Sequence, residues 1–198
     1  MVIHIGRGDD GNKRVTRHFV MKKVNGMRKV EVVSHQEEWA QMFQDECEKL
    51  LGVFGNEVMN IYHIGSTAIP TIHAKPVIDM LVEVKRLDRV DERNGDMKSI
   101  GYEAMGAYGM AKRRFFMKGE DRRTHHVHVF QHGNDEITRH VLFRDYMIAH
   151  PKEAHKYNHL KKRLAKVFPN GMAEYIEGKN KYIKEIDKRA KKWSNTSN

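Results

Sequence analysis

The sequence predicts an α+β domain, because candidate strands occupy its middle and candidate helices follow them. Between residues 57 and 131, runs of apolar residues alternate with Gly-containing turns. From residue 135 onward the apolar residues keep helical spacing, which breaks at Pro151 and again at 169–171. A chain of 198 residues is long enough for one domain with a single sizeable core. We therefore expect one domain whose last third is helical.

The first residues differ from the rest. Residues 1–26 show no hydrophobic period and carry several Gly and Asp residues that break regular structure, so we predict a flexible extension there. The single domain is expected over 27–198. A translation start at Met1 and one at Met27 are both compatible with this division.

The first elements of the domain follow from local pattern. Residues 28–33 alternate as a short strand does, and Ser34 with Glu37 three residues later matches a capping box. From Trp39 onward, aromatic and aliphatic residues recur at helical spacing until Gly55. We predict a strand followed by a capped amphipathic helix.

The later elements follow from period and from turn residues. Asp79 and Glu83 interrupt an otherwise apolar run at 76–84, which is typical of a strand covered on both faces. The other predicted strands are 57–64, 102–107, 113–118 and 124–131. The predicted helices are 87–100, 135–149, 152–167 and 172–193.

Composition excludes several classes of protein. No stretch approaches the roughly 18–20 apolar residues of a membrane helix, so no membrane partner is expected. Charged residues from Arg7 onward leave no apolar core for a secretory signal, which indicates a cytoplasmic protein. The single cysteine, Cys47, excludes an internal disulfide and a CxxC site. The sequence contains no GxxxxGK[ST] phosphate loop, no GxSxG and no HExxH motif.

The net charge of +10 is concentrated towards the ends of the chain. Residues 152–198 hold 13 Lys or Arg against five acidic residues, and residues 1–26 hold six against two. Solvated helix faces explain most of this excess, which also allows a polyanionic or nucleotide partner. Nucleic acid is the least favoured partner. Its binding by the basic C-terminal helices would require an affinity that falls steeply as the salt concentration rises.

A turn and an acidic residue provide the first candidate site. Gly65 and Ser66 end the strand predicted at 57–64, where a glycine lets the backbone approach a ligand and a hydroxyl with amide groups can hold a phosphate. Asp79 lies on the next predicted strand, and a carboxylate there requires a metal or a cation as partner. A structural ion pair with Lys75 or an arginine is the alternative.

Three runs in this order resemble the GrpB family. They are HIGSTAIPTIHAKPVIDMLVEV at 63–84, RTHHVHVF at 123–130 and LFRDYMIAHP at 142–151. The resemblance covers about 27–193 and includes the opening VEVVSHQEEW. It implies a nucleotidyltransferase-like fold of the polymerase-β type, a mixed β-sheet flanked by helices, in a bacterial cytoplasmic protein. Such domains are sometimes fused to dephospho-CoA kinase or to acetyltransferases, and the family supplies no substrate.

The sequence departs from active nucleotidyltransferases at one position. Asp79 matches the first acid of their Asp-x-Asp/Glu pair, but Leu81 stands at the second. Glu83 lies four residues along the strand, about 13 Å away, whereas paired metals are about 3.5–4 Å apart. This difference weakens the prediction of two-metal chemistry.

Two histidines could replace the missing acid. His126 and His128 project from one face of the strand predicted at 124–131. If this strand lies beside that of Asp79, the three side chains form a candidate catalytic group and metal site. A carboxylate with two imidazoles favours zinc, manganese or iron over magnesium, although magnesium is the usual ion of the superfamily. The alternative is a pair of histidines that hydrogen-bond in a polar environment or bind phosphate as cations.

Basic residues complete the predicted site. Lys75, Arg113, Arg114 and Arg123 lie on or beside the middle strands and are predicted, with Gly65 and Ser66, to bind phosphate. Periodicity does not decide which of the neighbours Arg113 and Arg114 points inward. Arg144 and Asp145, in an otherwise apolar helix, are predicted to form a buried ion pair that docks the helix on the sheet.

Two functions follow from these residues. The first is metal-assisted transfer of a nucleotidyl or phosphoryl group to a small acceptor, with Ser66 on the triphosphate, Asp79 on the metal and the basic residues on the phosphates. The second is a non-catalytic module that binds a nucleotide or phosphorylated metabolite and lacks the second acid. Substrate, acceptor, metal identity and oligomeric state are not set by the sequence.

Overall fold

A computed structural model describes residues 29–196. Its helices are α1 (Glu38–Phe54), α2 (Asp88–Asp91), α3 (Asn94–Ser99), α4 (Asp135–Ala149), α5 (Pro151–Val167) and α6 (Met172–Thr196). Its strands are β1 (Val58–Ile64), β2 (Ile78–Val84), β3 (Tyr102–Ala104), β4 (Arg113–Lys118) and β5 (His125–Gln131). The extension predicted over 1–26, with the two alternative translation starts, lies outside the described residues.

The five strands form one mixed sheet in the order β1-β2-β5-β4-β3. Strands β2 and β5 are parallel, and the other neighbouring pairs are antiparallel. The central position of β2 explains its nearly continuous apolar sequence, because it is paired on both sides and covered on both faces. Mixed pairing places Asp79 on β2 directly beside His126 on β5.

Helices cover both faces of the sheet. On one face, α1 and α3 pack on inward residues of β2 and β5, in a core that contains Trp39, Leu50, Val82 and Val129. The other face carries α4, and Ile137 of that helix packs with side chains from β1, β2 and β5. A further core joins α4, α5 and α6 to the segment between β1 and β2. None of the helices within residues 29–196 has the length and apolar character needed to cross a membrane.

The predicted fold class is confirmed, and so is its helical last third. The bounds of α4 match the prediction, and α5 and α6 begin within one residue of it. Pro151 is the first residue of α5, where its missing N–H costs no helical hydrogen bond. Hydrophobic periodicity and helix-breaking residues are therefore enough to predict these long helices.

Two predictions at the start of the domain are wrong. Residues 29–33 contribute only an isolated bridge between Val33 and Ala74 among the described residues. The capping box does not form, because α1 begins at Glu38 with Glu37 at the N-cap and no side-chain cap hydrogen bond. The Ser34 hydroxyl instead lies 3.4 Å from Nε2 of His73.

Two elements in the middle are shorter than predicted. The helix expected over 87–100 is divided into α2 and α3, since the chain leaves helical geometry at Arg93. The strand expected over 102–107 ends at Ala104, and Gly106 then adopts a φ of 60°, which is not a strand conformation. Both differences lie where glycine or asparagine weakens a regular pattern.

Candidate active site

Asp79 and His126 are neighbours in register on adjacent parallel strands. Their side chains extend from the sheet face that α4 covers, and Nδ1 of His126 lies 3.1 Å from Oδ1 of Asp79. The Asp79 side chain is 32% exposed and that of His126 is 20% exposed, so solvent reaches both. The strand pairing on which the sequence prediction depended is present.

The turn after β1 lies against the same carboxylate. Ile64, the last residue of β1, is the register partner of Asp79, so Gly65 follows directly beside it. Gly65 has a φ of +71°, and a Cβ built on it would lie 2.6 Å from Oδ2 of Asp79. Only glycine allows both this backbone angle and this close approach. Ser66 begins the short 3-10 turn that follows, and its hydroxyl interacts with the buried phenol of Tyr157.

Asp79 is ionised over the whole physiological range. Partial burial would raise the pKa of its carboxyl, but the hydrogen bond from His126 and the electrostatic interactions with His126, His128 and Lys75 lower that pKa to about 2. An ionised carboxylate only accepts hydrogen bonds, so the proton between the two side chains belongs to Nδ1 of His126. In the neutral form of that ring, Nε2 is the acceptor.

His128 has a different environment from His126. Burial, together with the neighbouring His140 and Arg113, lowers the pKa of His128 to about 3, against the effect of Asp79. The His128 ring lies 4.8 Å from the ring of Phe115 and 5.7 Å from the ring of His140. Burial likewise lowers the pKa of His140, on α4, to about 4. These two histidines are neutral at pH 7 and pack as polar aromatic rings.

Two lysines bring positive charge to Asp79. Lys75 precedes β2, and its charge acts on Asp79 and on Lys179 of α6. Burial, then the repulsion from Lys75, lowers the pKa of Lys179 to about 8, against the attraction of Asp79. The Nζ atom of Lys179 lies 4.2 Å from the centre of the Tyr175 ring. We call the group formed by Gly65, Ser66, Lys75, Asp79, His126 and Lys179 the Asp79 site.

The three predicted arginines do not join this group. Arg113 is buried on the same sheet face, but its guanidinium donates to the carbonyls of Ala107 and Tyr108 and so holds the loop before β4. Arg114 extends from the opposite face and binds Asp91 through two hydrogen bonds, of 2.6 and 2.7 Å. Arg123 lies 3.8 Å from Glu103 on the edge strand β3. Alternation along β4 explains why only one of the two neighbours points inward.

The predicted three-ligand metal site does not form. Within residues 29–196, no group of three or more His, Cys, Asp or Glu side chains converges as metal ligands. Nδ1 of His126 is engaged by Asp79, and Nδ1 of His128 lies 3.4 Å from Nη1 of Arg113. A guanidinium at this distance disfavours a cation at His128. The donors therefore do not fit a metal held by Asp79 and both histidines.

Comparisons with known proteins show the family of this chain. A model of the GrpB protein family matches residues 29–189. The chain belongs to the GrpB family. The UPF0157 protein YqkA of Bacillus subtilis is 48% identical over 171 residues, which are 86% of this chain and 50% of that protein. The chain thus spans about half the length of YqkA.

A second relative and a solved structure match nearly over their full length. The glutamate-rich protein GrpB of Alkalihalophilus pseudofirmus is 36% identical over 168 residues, 81% of this chain and 97% of that protein. The crystal structure of the conserved protein GrpB from Enterococcus faecalis superposes with a TM-score of 0.80 at 40% identity. It covers 82% of this chain and 99% of that one. A nucleotidyltransferase-like fold is consistent with this family.

In this member of the GrpB family, Glu83 is engaged away from Asp79. Its carboxylate accepts hydrogen bonds from Asn60 and Tyr62 at 2.9 and 3.0 Å, and Nδ1 of His132 lies 2.6 Å from it. Burial would raise the pKa of Glu83, but these three partners keep it lowered. The inference that Glu83 does not replace the second acid agrees with this geometry.

Sequence reasoning missed Lys179 and His140. Both belong to helices that fold back onto the sheet, and periodicity gives no register between a helix and a distant strand. The signal in the sequence that could have identified Lys179 is a lysine at helical spacing from the apolar residues on the buried side of α6. The prediction for Arg144 and Asp145 is confirmed in part. Arg144 contacts Asp145 at 2.7 Å and donates to the carbonyl of His63 at 2.9 Å, which docks α4 on β1, but the ion pair is not buried, since the Asp145 side chain is 39% exposed.

Proposed function

We propose that the Asp79 site binds a nucleotide or another phosphorylated small molecule and transfers a nucleotidyl or phosphoryl group to a small acceptor. The observation that carries this proposal is an ionised, solvent-accessible carboxylate that is hydrogen-bonded to a histidine and interacts electrostatically with two lysines, Lys75 and Lys179. Family membership supports the class of reaction by analogy only, and the sequence places Leu81 where active relatives of the superfamily have a second acid.

The balance of charge favours an anionic ligand. Both Lys75 and Lys179 interact electrostatically with the carboxylate of Asp79, and the two nearby histidines, His128 and His140, are neutral at pH 7. Burial and the repulsion from Lys75 lower the pKa of Lys179, so an additional negative charge would be stabilised there. A di- or triphosphate supplies such charge, and the turn at Gly65 and Ser66 offers backbone amides and a hydroxyl to its oxygens.

His126 is the proposed general base. Asp79 holds the proton on Nδ1, which leaves Nε2 to accept the proton of an acceptor hydroxyl. The acceptor oxygen then bonds to phosphorus, the bond from phosphorus to the phosphate leaving group breaks, and the proton stays on Nε2. Asp79 stabilises the imidazolium that forms, and the two lysines stabilise charge on the leaving group.

In this proposal a divalent ion would bind together with the phosphates of the substrate. Magnesium is usually held by one or two carboxylates together with the phosphates of the substrate. Asp79 would be the protein ligand of such an ion, whose chemistry would be to neutralise phosphate charge. Neither histidine is required as a ligand. The cytoplasmic location that the sequence indicates suits a nucleotide substrate and stays a prediction.

A second candidate function is binding without turnover. Leu81 stands where active nucleotidyltransferases carry their second acid, and it is fully buried with Ile64, Phe130 and Ile137. The other acid of β2, Glu83, is held by Asn60, Tyr62 and His132, so no second carboxylate lies beside Asp79. A module of this kind would bind the same ligands and would catalyse no transfer.

Ligand binding and transfer are measured together to separate the two. Thermal unfolding is followed with each of the four nucleoside triphosphates and with pyrophosphate, with and without Mg²⁺. Transfer is followed from nucleotides labelled at the α- or γ-phosphate to a set of small hydroxylated acceptors. We expect stabilisation by RT ln(1 + [L]/Kd), about 2.7 kcal/mol at 100 Kd. An enzyme transfers label, whereas a binding module is stabilised and transfers none.

Three variants assign the roles. Asp79→Asn should lose both stabilisation and transfer. His126→Gln should keep binding and lose transfer by roughly 10²-fold or more. Arg114→Gln is the control, since that side chain lies on the opposite face of the sheet and should leave both unchanged. The proposal is wrong if no ligand stabilises the parent protein or if Asp79→Asn behaves as the parent does.

A further inference from the structure

The outer face of α5 is lined only by basic side chains. Seven exposed residues form it: Lys152, His155, Lys156, His159, Lys162, Arg163 and Lys166. At about 100° per residue, they occupy roughly one third of the helix circumference. No acidic residue lies within that arc. We call these seven residues the α5 stripe.

The opposite side of α5 is used by the fold. Ala154, Tyr157, Asn158, Lys161 and Leu164 are its buried residues. Tyr157 reaches Ser66, and Lys161 donates to the carbonyl of His73, so the inner face is directed towards the Asp79 site. The α5 stripe is therefore a separate surface, and an inference from it does not depend on the proposed function.

Most of the charge on the stripe has no partner in the described part of the chain. Lys156 pairs with Glu153 at 2.7 Å, and Glu153 also binds Arg189. Lys152, Lys162, Arg163 and Lys166 form no ion pair with any residue in 29–196. A row of uncompensated positive charge raises the local electrostatic potential and attracts polyanions.

Helix α6 shows that this pattern is not general to the C-terminal region. Its exposed residues Lys181, Lys184 and Lys188 alternate with Glu177 and Glu185 on the outer side. The excess of positive charge after residue 151 is thus distributed over two helices. The exposed face of α5 is purely basic, whereas that of α6 carries both basic and acidic residues. The mixed face provides a matched control.

We propose that the α5 stripe binds the phosphate backbone of a nucleic acid. From Lys152 to Lys166 the helix rises about 21 Å. One strand of a duplex carries a phosphate for about every 3.4 Å along its axis, so this length faces roughly six phosphates. Five Lys or Arg side chains along this length can therefore neutralise most of the phosphates that the helix faces.

The chemistry of the stripe disfavours other partners. Helices that lie in a membrane surface insert apolar and aromatic residues, whereas the apolar side of α5 is buried in the fold. Stable protein interfaces require aromatic or aliphatic anchors at their centre, and the stripe contains none. An extended row of cations also differs from the concave site that a single small anion needs.

Fluorescence anisotropy tests this proposal. Labelled DNA duplex, single-stranded DNA and single-stranded RNA of about 20 nucleotides are titrated with the full chain up to about 100 μM, because non-specific binding is typically 10⁻⁴–10⁻⁶ M. Titrations at 50, 100 and 200 mM salt give the slope of log K against log salt. Five phosphate contacts predict a slope of about −4 on a duplex. The three probes show which backbone is preferred.

Matched triple variants locate the surface. Lys152→Gln, Arg163→Gln and Lys166→Gln together should weaken binding about tenfold at 50 mM salt and reduce the magnitude of the slope by roughly 2–3. The control, with Lys181→Gln, Lys184→Gln and Lys188→Gln, changes the net charge equally and should retain most of the affinity. Circular dichroism and thermal unfolding should be unchanged in both.

Several outcomes would overturn the proposal. These are an absence of binding, binding that salt does not weaken, and equal losses in the two triple variants. Anionic phosphatidylserine vesicles or polyglutamate that bind more tightly than nucleic acid, and that lose affinity in the α5 variant, would assign the surface to a membrane or to an acidic protein instead. The stabilisation by nucleotides tested at Asp79 should not change in the α5 variant.

Discussion

Gly65 is the residue whose identity the geometry restricts most. It joins β1 to the turn of the Asp79 site, and two independent constraints meet there. The positive φ disfavours any side chain, and the carboxylate of Asp79 occupies the space into which a Cβ would extend. A side chain at position 65 would therefore disturb both the packing of the turn and the position of the Asp79 carboxylate.

Replacement of Gly65 by alanine is expected to lower stability and to impair the site. The Cβ clash at 2.6 Å with Oδ2 must displace Asp79 or the turn. We expect a loss of about 1–3 kcal/mol in the free energy of unfolding. Gly52→Ala is the control, because no atom lies within 4 Å of its Cβ position and it lies inside α1. It should be neutral or should stabilise by up to about 1 kcal/mol. Urea unfolding measures both.

Lys179 should show an opposition between stability and ligand binding. Burial of its ammonium, with the repulsion from Lys75, disfavours the charged form. Lys179→Met is therefore expected to raise the melting temperature slightly, by about 1–3 °C. The same variant should lose stabilisation by pyrophosphate, since one of two cations at Asp79 is gone. Lys181→Met, at an exposed position on α6, should change neither. A variant that keeps the pyrophosphate effect would remove Lys179 from the site.

Local sequence pattern predicts which residues form the site only when those residues lie on neighbouring strands or in the turns beside them. Alternation along β5 placed His126 and His128 on one face, and the Gly65–Asp79 proximity follows from consecutive strands. Arg114 was misplaced because its neighbour Arg113 took the inward position, which depends on the register of β4. Lys179 lies on α6, a hundred residues after Asp79 in the sequence. Its position near Asp79 depends on how that helix packs on the sheet, which hydrophobic periodicity does not predict.

At the scale of elements, α1 is fixed to the sheet by a buried carboxylate. Glu46 is 1% exposed and lies 2.7 Å from Nζ of Lys118 on β4 and 2.9 Å from Nζ of Lys49. Burial would raise the pKa of Glu46, but the two lysines keep it lowered. The ion pair with Lys118 is thus the polar link between the helix and the strand.

Removal of one partner should destabilise the protein more than removal of both. Lys118→Met leaves Glu46 buried with a single lysine and is expected to cost about 3–5 kcal/mol of unfolding free energy. The double variant with Glu46→Met is expected to recover most of that loss. Arg89→Met, which breaks the exposed pair with Glu92, should cost less than about 0.5 kcal/mol. Additive losses in the double-mutant cycle would contradict the role of this pair.

Long elements were predicted better than short ones. In α4, α5 and α6 many successive turns carry the same apolar face, and a proline or glycine lies close to every boundary except the end of α6. The segment 87–100 has few turns, and Arg93 with a φ of −97° and ψ of 6° interrupts it. The capping box at Ser34 failed because that side chain faces His73, a contact made across the domain. Tertiary contacts decide where local signals are weak.

At the scale of the whole molecule, neutral histidines lie inside the polar layer between sheet and helices. Burial lowers the pKa of His63 to about 4, of His128 to about 3 and of His140 to about 4. His63 stacks on Phe43 of α1, with ring centres 4.8 Å apart, and His128 on β5 lies 5.7 Å from His140 of α4. Both helical layers therefore pack against imidazoles that the fold keeps uncharged.

This arrangement predicts a loss of stability in mild acid. An unfolded histidine has a pKa of about 6.5, whereas these three protonate in the folded protein only near pH 3–4. Between about pH 6.5 and 4 the unfolded state binds more protons, so the free energy of unfolding falls as the pH falls. Each histidine contributes at most about 1.4 kcal/mol per pH unit. The stabilisation is complete above pH 6.5, and the depressed pKa of Asp79 adds a further loss only below about pH 4.

Urea unfolding at pH 7.5, 6.5, 5.5 and 4.5 measures this dependence. His128→Leu removes one protonating group and should flatten the profile, whatever its effect on stability at pH 7.5. His155→Gln, on the exposed face of α5, should leave the slope unchanged. If His128→Leu and the parent protein lose stability in parallel, the buried histidine is not the origin of the acid sensitivity, and the layer between β5 and α4 admits protons more readily than its packing indicates.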